Sequence, residues 1–100
     1  MKELTVEQYL VKRIRALGGH CRKVAFIGHR GAPDRLVLLP PQPRGLAPVF
    51  WVELKSPTGA LRAAQIREHA ILRTFGQLVY VMRSKGDVDD CLEMSYSHEI

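Results

Sequence analysis

A run of prolines, Pro40-Pro41-Gln42-Pro43-Arg44-Gly45, lies between two apolar segments, Arg35 to Leu39 and Val49 to Lys55, and restricts the fold more than any other feature of the chain. Proline has no backbone N–H to give to a ladder, so the run must be a loop. The segments on either side, rich in Val, Leu, Phe and Trp, read as strands. The first is nearly all apolar, as expected of a strand covered on both faces. If the two pair as an antiparallel hairpin across the loop, the start of one lies beside the end of the other.

The remaining elements follow from hydrophobic period. Leu4, Val6, Leu10, Val11, Ile14 and Leu17 recur at helical spacing, with Lys12, Arg13 and Arg15 largely outside the stripe, so Leu4 to Leu17 is expected to be an amphipathic helix. Gly18-Gly19 ends it, because glycine accepts the left-handed conformation that closes a helix. Cys21 to Ile27 reads as a strand, followed by the glycine-bracketed turn Gly28-His29-Arg30-Gly31. Leu61 to Phe75 reads as a second helix, with Leu61, Ala64, Ile71, Leu72 and Phe75 on one side. Leu78 to Met82 reads as a buried strand and Asp87 to Met94 as a short last helix. The order αβββαβα, with a helical crossover after the third strand, predicts an α/β fold: a mixed four-stranded sheet flanked by helices. One hundred residues are enough for one compact core, so a single domain spanning 1–100 is expected.

Composition narrows the class. No apolar run approaches the roughly 20 residues of a membrane span, and Met1-Lys2-Glu3 leads into an amphipathic pattern instead of a signal sequence, so an intracellular protein is expected. Cys21 and Cys91 have no zinc spacing, and the adjacent His20 and Cys21 would point to opposite faces of a strand, so reduced thiols are the simplest reading. Fifteen Lys and Arg against ten Asp and Glu give a net charge of +5, which suits a polyanionic partner such as nucleic acid.

Three residues carry the chemistry. Asp34 stands at the mouth of the second strand, and Glu53 and Lys55 follow after eighteen intervening residues, on one face of the third strand by period-two alternation. The hairpin would bring two carboxylates and an ammonium together. Carboxylates so placed repel, and a hard divalent cation with oxygen ligands, Mg²⁺ or Mn²⁺, relieves the repulsion. Such an ion polarises a phosphoryl oxygen and acidifies water, while Lys55 could stabilise the growing negative charge; the product is phosphodiester hydrolysis. An isolated Glu-x-Lys would otherwise read as a surface ion pair.

At this point the sequence resembles the PD-(D/E)xK nucleases and, within them, the VRR-NUC family. The resemblance runs through Ala16-Leu17-Gly18-Gly19, Lys23, Gly31-Ala32-Pro33-Asp34-Arg35-Leu36-Val37-Leu38, Val52-Glu53-Leu54-Lys55, Gln65 and Gly76-Gln77-Leu78-Val79-Tyr80-Val81. It implies a restriction-endonuclease-like αβββαβ core, Mg²⁺ or Mn²⁺, and cleavage of structured DNA. Carried over, it implies Asp34 and Glu53 as metal-binding acids, Lys55 as the catalytic lysine, Gln65 as the helix-borne glutamine and Glu7 as the first-helix acid. Glu7 shares the inward stripe of Val11 and Ile14, where a carboxylate needs a partner; Glu3, one turn earlier, is the reserve. Lys23 matches a strand lysine near the metal-bound phosphate, with a solvated lysine as the alternative.

Arg62, Gln65, His69 and Arg73 form a polar column on the second helix along which DNA phosphates could lie; a solvated basic face is the bland alternative. His29 and Arg30, just before Asp34, are placed to touch phosphate. Trp51 shares the face of Glu53 but is assigned to packing, and Asp87, Asp89 and Asp90 to the N-terminal end of the last helix, where acids suit its dipole. The expected activity is a metal-dependent DNA endonuclease, similar to a Holliday junction resolvase. It is expected to act as a homodimer, because members of this family tend to pair and a two-fold sets two active sites on opposed strands. A flap-cutting or restriction-like nuclease, and a basic DNA-binding module that does not cut, are the alternatives.

Overall fold

In the computed structural model, residues 3–41 and 48–95 are described. The elements are α1 (Val6–Ala16), β1 (His20–Lys23), β2 (Arg35–Leu38), β3 (Val49–Leu54), α2 (Ala63–Thr74), β4 (Val79–Met82) and α3 (Lys85–Ser95). They occur in the predicted order. The proline-rich loop falls mostly at 42–47, outside the described residues. None of the described helices is long and apolar enough to cross a membrane.

The four strands form one sheet in the order β1-β2-β3-β4. β1 pairs β2 and β2 pairs β3 antiparallel, while β3 and β4 run parallel, the pairing that requires the α2 crossover. The hairpin register sets Arg35 opposite Val52, so the next pair outward is Asp34 and Glu53.

Strand alternation divides the sheet into two faces. Phe50 and Val52 point into a core built with Val37, Leu39 and Met82 and closed by Leu10 and Ile14 of α1 and Val88, Cys91 and Leu92 of α3. Trp51 and Glu53 point to the opposite face, where α2 lies. α1 is fixed by a reciprocal capping box, in which Thr5 Oγ1 accepts from the Gln8 backbone and Gln8 Oε1 accepts from that of Thr5. Tyr9 Oη and Arg13 both donate to Asp89, joining α1 to α3. No disulfide joins Cys21 and Cys91.

Several boundaries differ from expectation. β1 ends at Lys23 instead of Ile27: one further backbone bond, from the Val24 N–H to the Asp34 carbonyl, continues the pairing, and beyond it the chain turns away into the 24–33 loop. β2 is not covered on both faces, since Leu38 is 37% exposed. α3 begins two residues early at Lys85, where Ser84 Oγ accepts from the Asp87 backbone and Asp87 Oδ2 accepts from the Arg83 backbone. Asp87 is thus a capping residue as expected, whereas Asp89 serves the α1 contact.

The largest difference concerns α2. Its predicted apolar stripe is only partly covered: Leu61, Ala64 and Leu72 are half-buried, Ile71 and Phe75 are exposed, as is Ile66, and the one fully buried side chain of the helix is His69. α2 is turned so that the column containing Gln65 and His69 faces β3, for a reason that lies in Glu53.

Residues 24–33 leave β1 and return to β2 as a pinned loop. Val24 donates to the Asp34 carbonyl at 3.0 Å, so both ends of the loop meet at Asp34. Gly31, at φ 94°, lies against the first turn of α2, and a Cβ there would run into the Ala64 carbonyl. Gly31→Ala should therefore lower stability by at least about 1–2 kcal/mol, the cost of the backbone conformation alone. Urea denaturation measures this, and an unchanged midpoint would mean that the loop is not held against α2.

Candidate active site

Asp34 enters the site from the last residue before β2, behind the buried Pro33. Its Oδ2 accepts from the Leu54 backbone N–H at 2.6 Å, which turns the carboxylate toward the end of β3. Glu53 projects there from β3, and Lys55 follows one residue beyond the strand, its backbone N–H donating to the Met82 carbonyl at 3.0 Å. That bond extends the parallel ladder past the end of β3 and keeps Lys55 on the alternation of Glu53. Asp34, Glu53 and Lys55 are thus brought together at one end of the β2–β3 pair.

Glu53 is only 2% exposed, an unusual position for a carboxylate. α2 supplies its partners. Gln65 Nε2 donates to Oε2 at 3.0 Å, and His69 Nε2 lies 3.1 Å from Oε1. Gln65 and His69 are four residues apart, so one helix face delivers both. Gln65 Oε1 at the same time accepts from the Arg62 backbone at 2.8 Å, which fixes its amide orientation. His69 is itself buried, and this together with the cation of Arg73 lowers its pKa, so the ring is neutral. With Glu53 ionised the carboxylate only accepts, and the ring proton then sits on Nε2; Nδ1 has no hydrogen-bond partner.

Burial pushes Glu53 up to a pKa of about 7, the charge and hydrogen bond of Asp34 push in the same direction, and Lys55 opposes them. Two carboxylates therefore compete for one small volume, and a proton or a cation is needed to settle it near neutrality.

The other predicted residues are spread around this pair. Glu7 Oε2 accepts from Arg35 Nε at 2.9 Å, and Glu7 lines a recess with Lys23, Val24, Asp34 and Leu54. Glu3 instead pairs with Lys85 at 3.4 Å on α3, so Glu7 is the first-helix acid that shares the recess with Asp34. Among the described residues no group of three His, Cys, Asp or Glu is gathered closely enough to hold a metal, so the acids that converge are Asp34 and Glu53, and Glu7 is held back by Arg35.

The polar column of α2 is not a continuous track for phosphates. His69, expected there as a DNA contact, is corrected to a buried partner of Glu53, because desolvating an imidazole beside a carboxylate is compensated only by the bond between them. Gln65 also turns inward. Arg62 remains exposed, and Arg73 donates to the Val79 carbonyl at 2.7 Å. His29 and Arg30 are exposed on the 24–33 loop, and Lys23 is exposed at the end of β1. Trp51 packs outside the main core: its Nε1 donates to Gln77 Oε1 at 3.0 Å, and Phe26 meets it edge-on with ring centroids 5.9 Å apart. The roles of Arg35 and His69 were missed in the sequence, although the four-residue spacing of Gln65 and His69 carried the signal for the second.

No family model matches the chain. The chain is 38% identical over 85 residues to the p44 protein of Acyrthosiphon pisum secondary endosymbiont phage 1, itself named as a candidate nuclease, with 85% of this chain and 86% of that protein covered. It is also similar to a solved structure described as a VRR-NUC domain, at a TM-score of 0.76 and 39% identity, over 88% of this chain and 90% of that one.

The raised pKa of Glu53 has a defined effect on stability. The folded protein holds the Glu53 proton more tightly than the unfolded chain, so the associated stability is present below about pH 4.5 and is lost as pH rises through about 7. Glu53→Gln, which cannot ionise, should be increasingly stabilised relative to the metal-free wild type between pH 5 and pH 7, with a constant difference above. Thermal melts in EDTA across that range measure it, and a difference independent of pH would show that Glu53 titrates normally.

Proposed function

The chain belongs to the VRR-NUC family of PD-(D/E)xK nucleases, and from that membership we propose that it is a divalent-metal-dependent endonuclease that hydrolyses phosphodiester bonds in structured DNA. The observation that carries the reading is the convergence of Asp34 and the buried Glu53 beside Lys55. A net charge of +5 suits a polyanionic substrate.

The donor set fits Mg²⁺ or Mn²⁺. Both converging side chains are hard oxygen donors, and the upward shift of Glu53, caused first by burial and then by the Asp34 charge, is one that a divalent cation would oppose. Asp34 and Glu53 would hold the ion, with Glu7 as the reserve acid in the adjoining recess. When bound, it would polarise a phosphoryl oxygen and lower the pKa of a water.

The protein's own groups do the rest. Gln65 donates to one oxygen of Glu53 and His69, with its ring proton on Nε2, donates to the other when Glu53 is ionised, fixing the plane of the carboxylate while leaving lone pairs on both oxygens. His69 acts as a positioning residue. Lys55 Nζ can donate to a phosphoryl oxygen and stabilise the charge that accumulates there during attack. Lys23, Arg30 and Arg62 would bind flanking phosphates, and their long side chains tolerate any base sequence.

The substrate we favour is a branched duplex such as a four-way junction, cut by a homodimer whose two-fold axis places one site on each of two opposed strands. Glu53→Ala and Asp34→Asn should each reduce Mg²⁺-dependent nicking by at least about a hundredfold while DNA binding in EDTA persists. A Glu53→Ala protein that cuts as well as wild type would remove the site assignment. Wild-type protein that binds DNA and never cuts it in Mg²⁺ or Mn²⁺ would identify a binding module instead. A panel of four-way junctions, flaps, plain duplex and single strands tests the substrate. Faster cutting of flaps or plain duplex would replace the junction, and light scattering that gave a monomer mass at micromolar concentration would remove the symmetric cut.

A further inference from the structure

Ile27 is 98% exposed, the most exposed of the large apolar side chains among the described residues. Single apolar residues are common on protein surfaces, and exposure alone carries no meaning. Three further observations distinguish this one.

The first is rigidity. Ile27 sits at the tip of a turn closed by a hydrogen bond from the His29 N–H to the Phe26 carbonyl at 3.3 Å. The loop beneath it is held at three points: Val24 on the Asp34 carbonyl, Gly31 on the backbone of α2, and the Phe26 ring on Trp51. Trp51 is in turn held by Gln77. A Cβ added to the adjacent Gly28 would meet nothing within 4 Å, so the tip stands clear of the body of the protein.

The second is charge. Arg22, Lys23 and Arg30 flank the loop and, with His29, are all exposed, a setting that suits the phosphates of a polyanion. The third is position. The loop starts and ends at Asp34, and three residues of chain from Val24 to Ile27 span at most about 11 Å. At about 3.4 Å per nucleotide along a strand, the tip lies within roughly three nucleotides of a phosphate held at Asp34.

We propose that Ile27 is an apolar wedge that enters an opened base step in branched DNA, while the cations around it hold the neighbouring phosphates. Aliphatic side chains inserted between bases relieve their own exposure and replace lost stacking, and the insertion costs least where the duplex is already interrupted. Phe26 and Trp51 form the base of the wedge and set its height above the sheet. The substrate class follows: DNA with a branch point a few nucleotides from the scissile phosphate. This rests on the nuclease reading above and adds to it a residue that selects DNA shape without touching the reacting atoms.

The test separates the two readings by measuring binding without cutting. Wild-type protein, Ile27→Ser and Ile27→Leu are titrated in EDTA with a four-way junction and a plain duplex, each carrying 2-aminopurine at successive positions near the branch or its equivalent. Wild type should raise the fluorescence at one or two positions of the junction, reporting an unstacked base. Ile27→Ser should abolish the rise and lower the junction-to-duplex affinity ratio by roughly tenfold, and Ile27→Leu should restore both. Thermal melts should coincide for all three, since nothing packs on the side chain. An unchanged ratio and signal in Ile27→Ser would overturn the wedge, as would a fall in oligomer mass for that variant by light scattering, which would make Ile27 a contact between copies. Failure of wild type to nick DNA in Mg²⁺ would remove the nuclease reading and leave the binding result standing.

Discussion

A single buried carboxylate organises this molecule. Glu53 lies near the end of β3 on the face opposite the main core, and both of its oxygens are hydrogen-bonded by side chains of α2. An unpaired charge in that position would be costly enough to expel the strand or protonate the group, so the helix has to present Gln65 and His69 to the sheet. This requirement sets the rotation of α2 and displaces part of its hydrophobic pattern, with Ala64 and Leu72 still half-buried. Ile66, Ile71 and Phe75 are left on the surface as a result. Burial and the neighbouring Asp34 carboxylate raise the pKa of Glu53, so its charged form is the one the site has to support.

The site also draws on distant parts of the chain. Asp34 arrives from the loop before β2, Glu53 from β3, Gln65 and His69 from the crossover helix, and Glu7 from α1 through its pair with Arg35. The antiparallel hairpin sets the distance between the two acids, and the parallel β3–β4 pair places the crossover helix above them. The three-layer arrangement is thus as much a requirement of the chemistry as of the core. The 24–33 loop belongs to the same design, since the backbone bond between Val24 and Asp34 makes its root part of the site.

Much of this was legible from residue order. Period-two alternation placed Glu53 and Lys55 on one face, and the prolines between two apolar runs gave the hairpin that brings Asp34 to them. The orientation of α2 was not legible, because a moment of apolar residues predicts the buried face only when the surface opposite is also apolar. Here the surface opposite is a carboxylate, and the polar column wins. His69 was misplaced for the same reason: a histidine beside arginines on a helix reads as solvated until its partner across the sheet is known. The end of β1 was hidden too, since Val24 to Ile27 have strand-like composition and nothing in it marks the turn of the chain after the Val24–Asp34 bond.

The apolar side chains left outside by the rotation of α2 have a colloidal consequence. Ile66, Ile71 and Phe75, with Leu78 just beyond, give the molecule adhesive surface that its positive charge must keep apart from other copies. Repulsion between charged proteins falls off over a Debye length of about 10 Å at 0.1 M salt and about 3 Å at 1 M, while sulfate and phosphate salts strengthen apolar contact. The protein is therefore expected to be most soluble in dilute buffers of weakly hydrated anions and to salt out early. Bound polyanion, by neutralising the charge, would bring the same tendency to lower ionic strength.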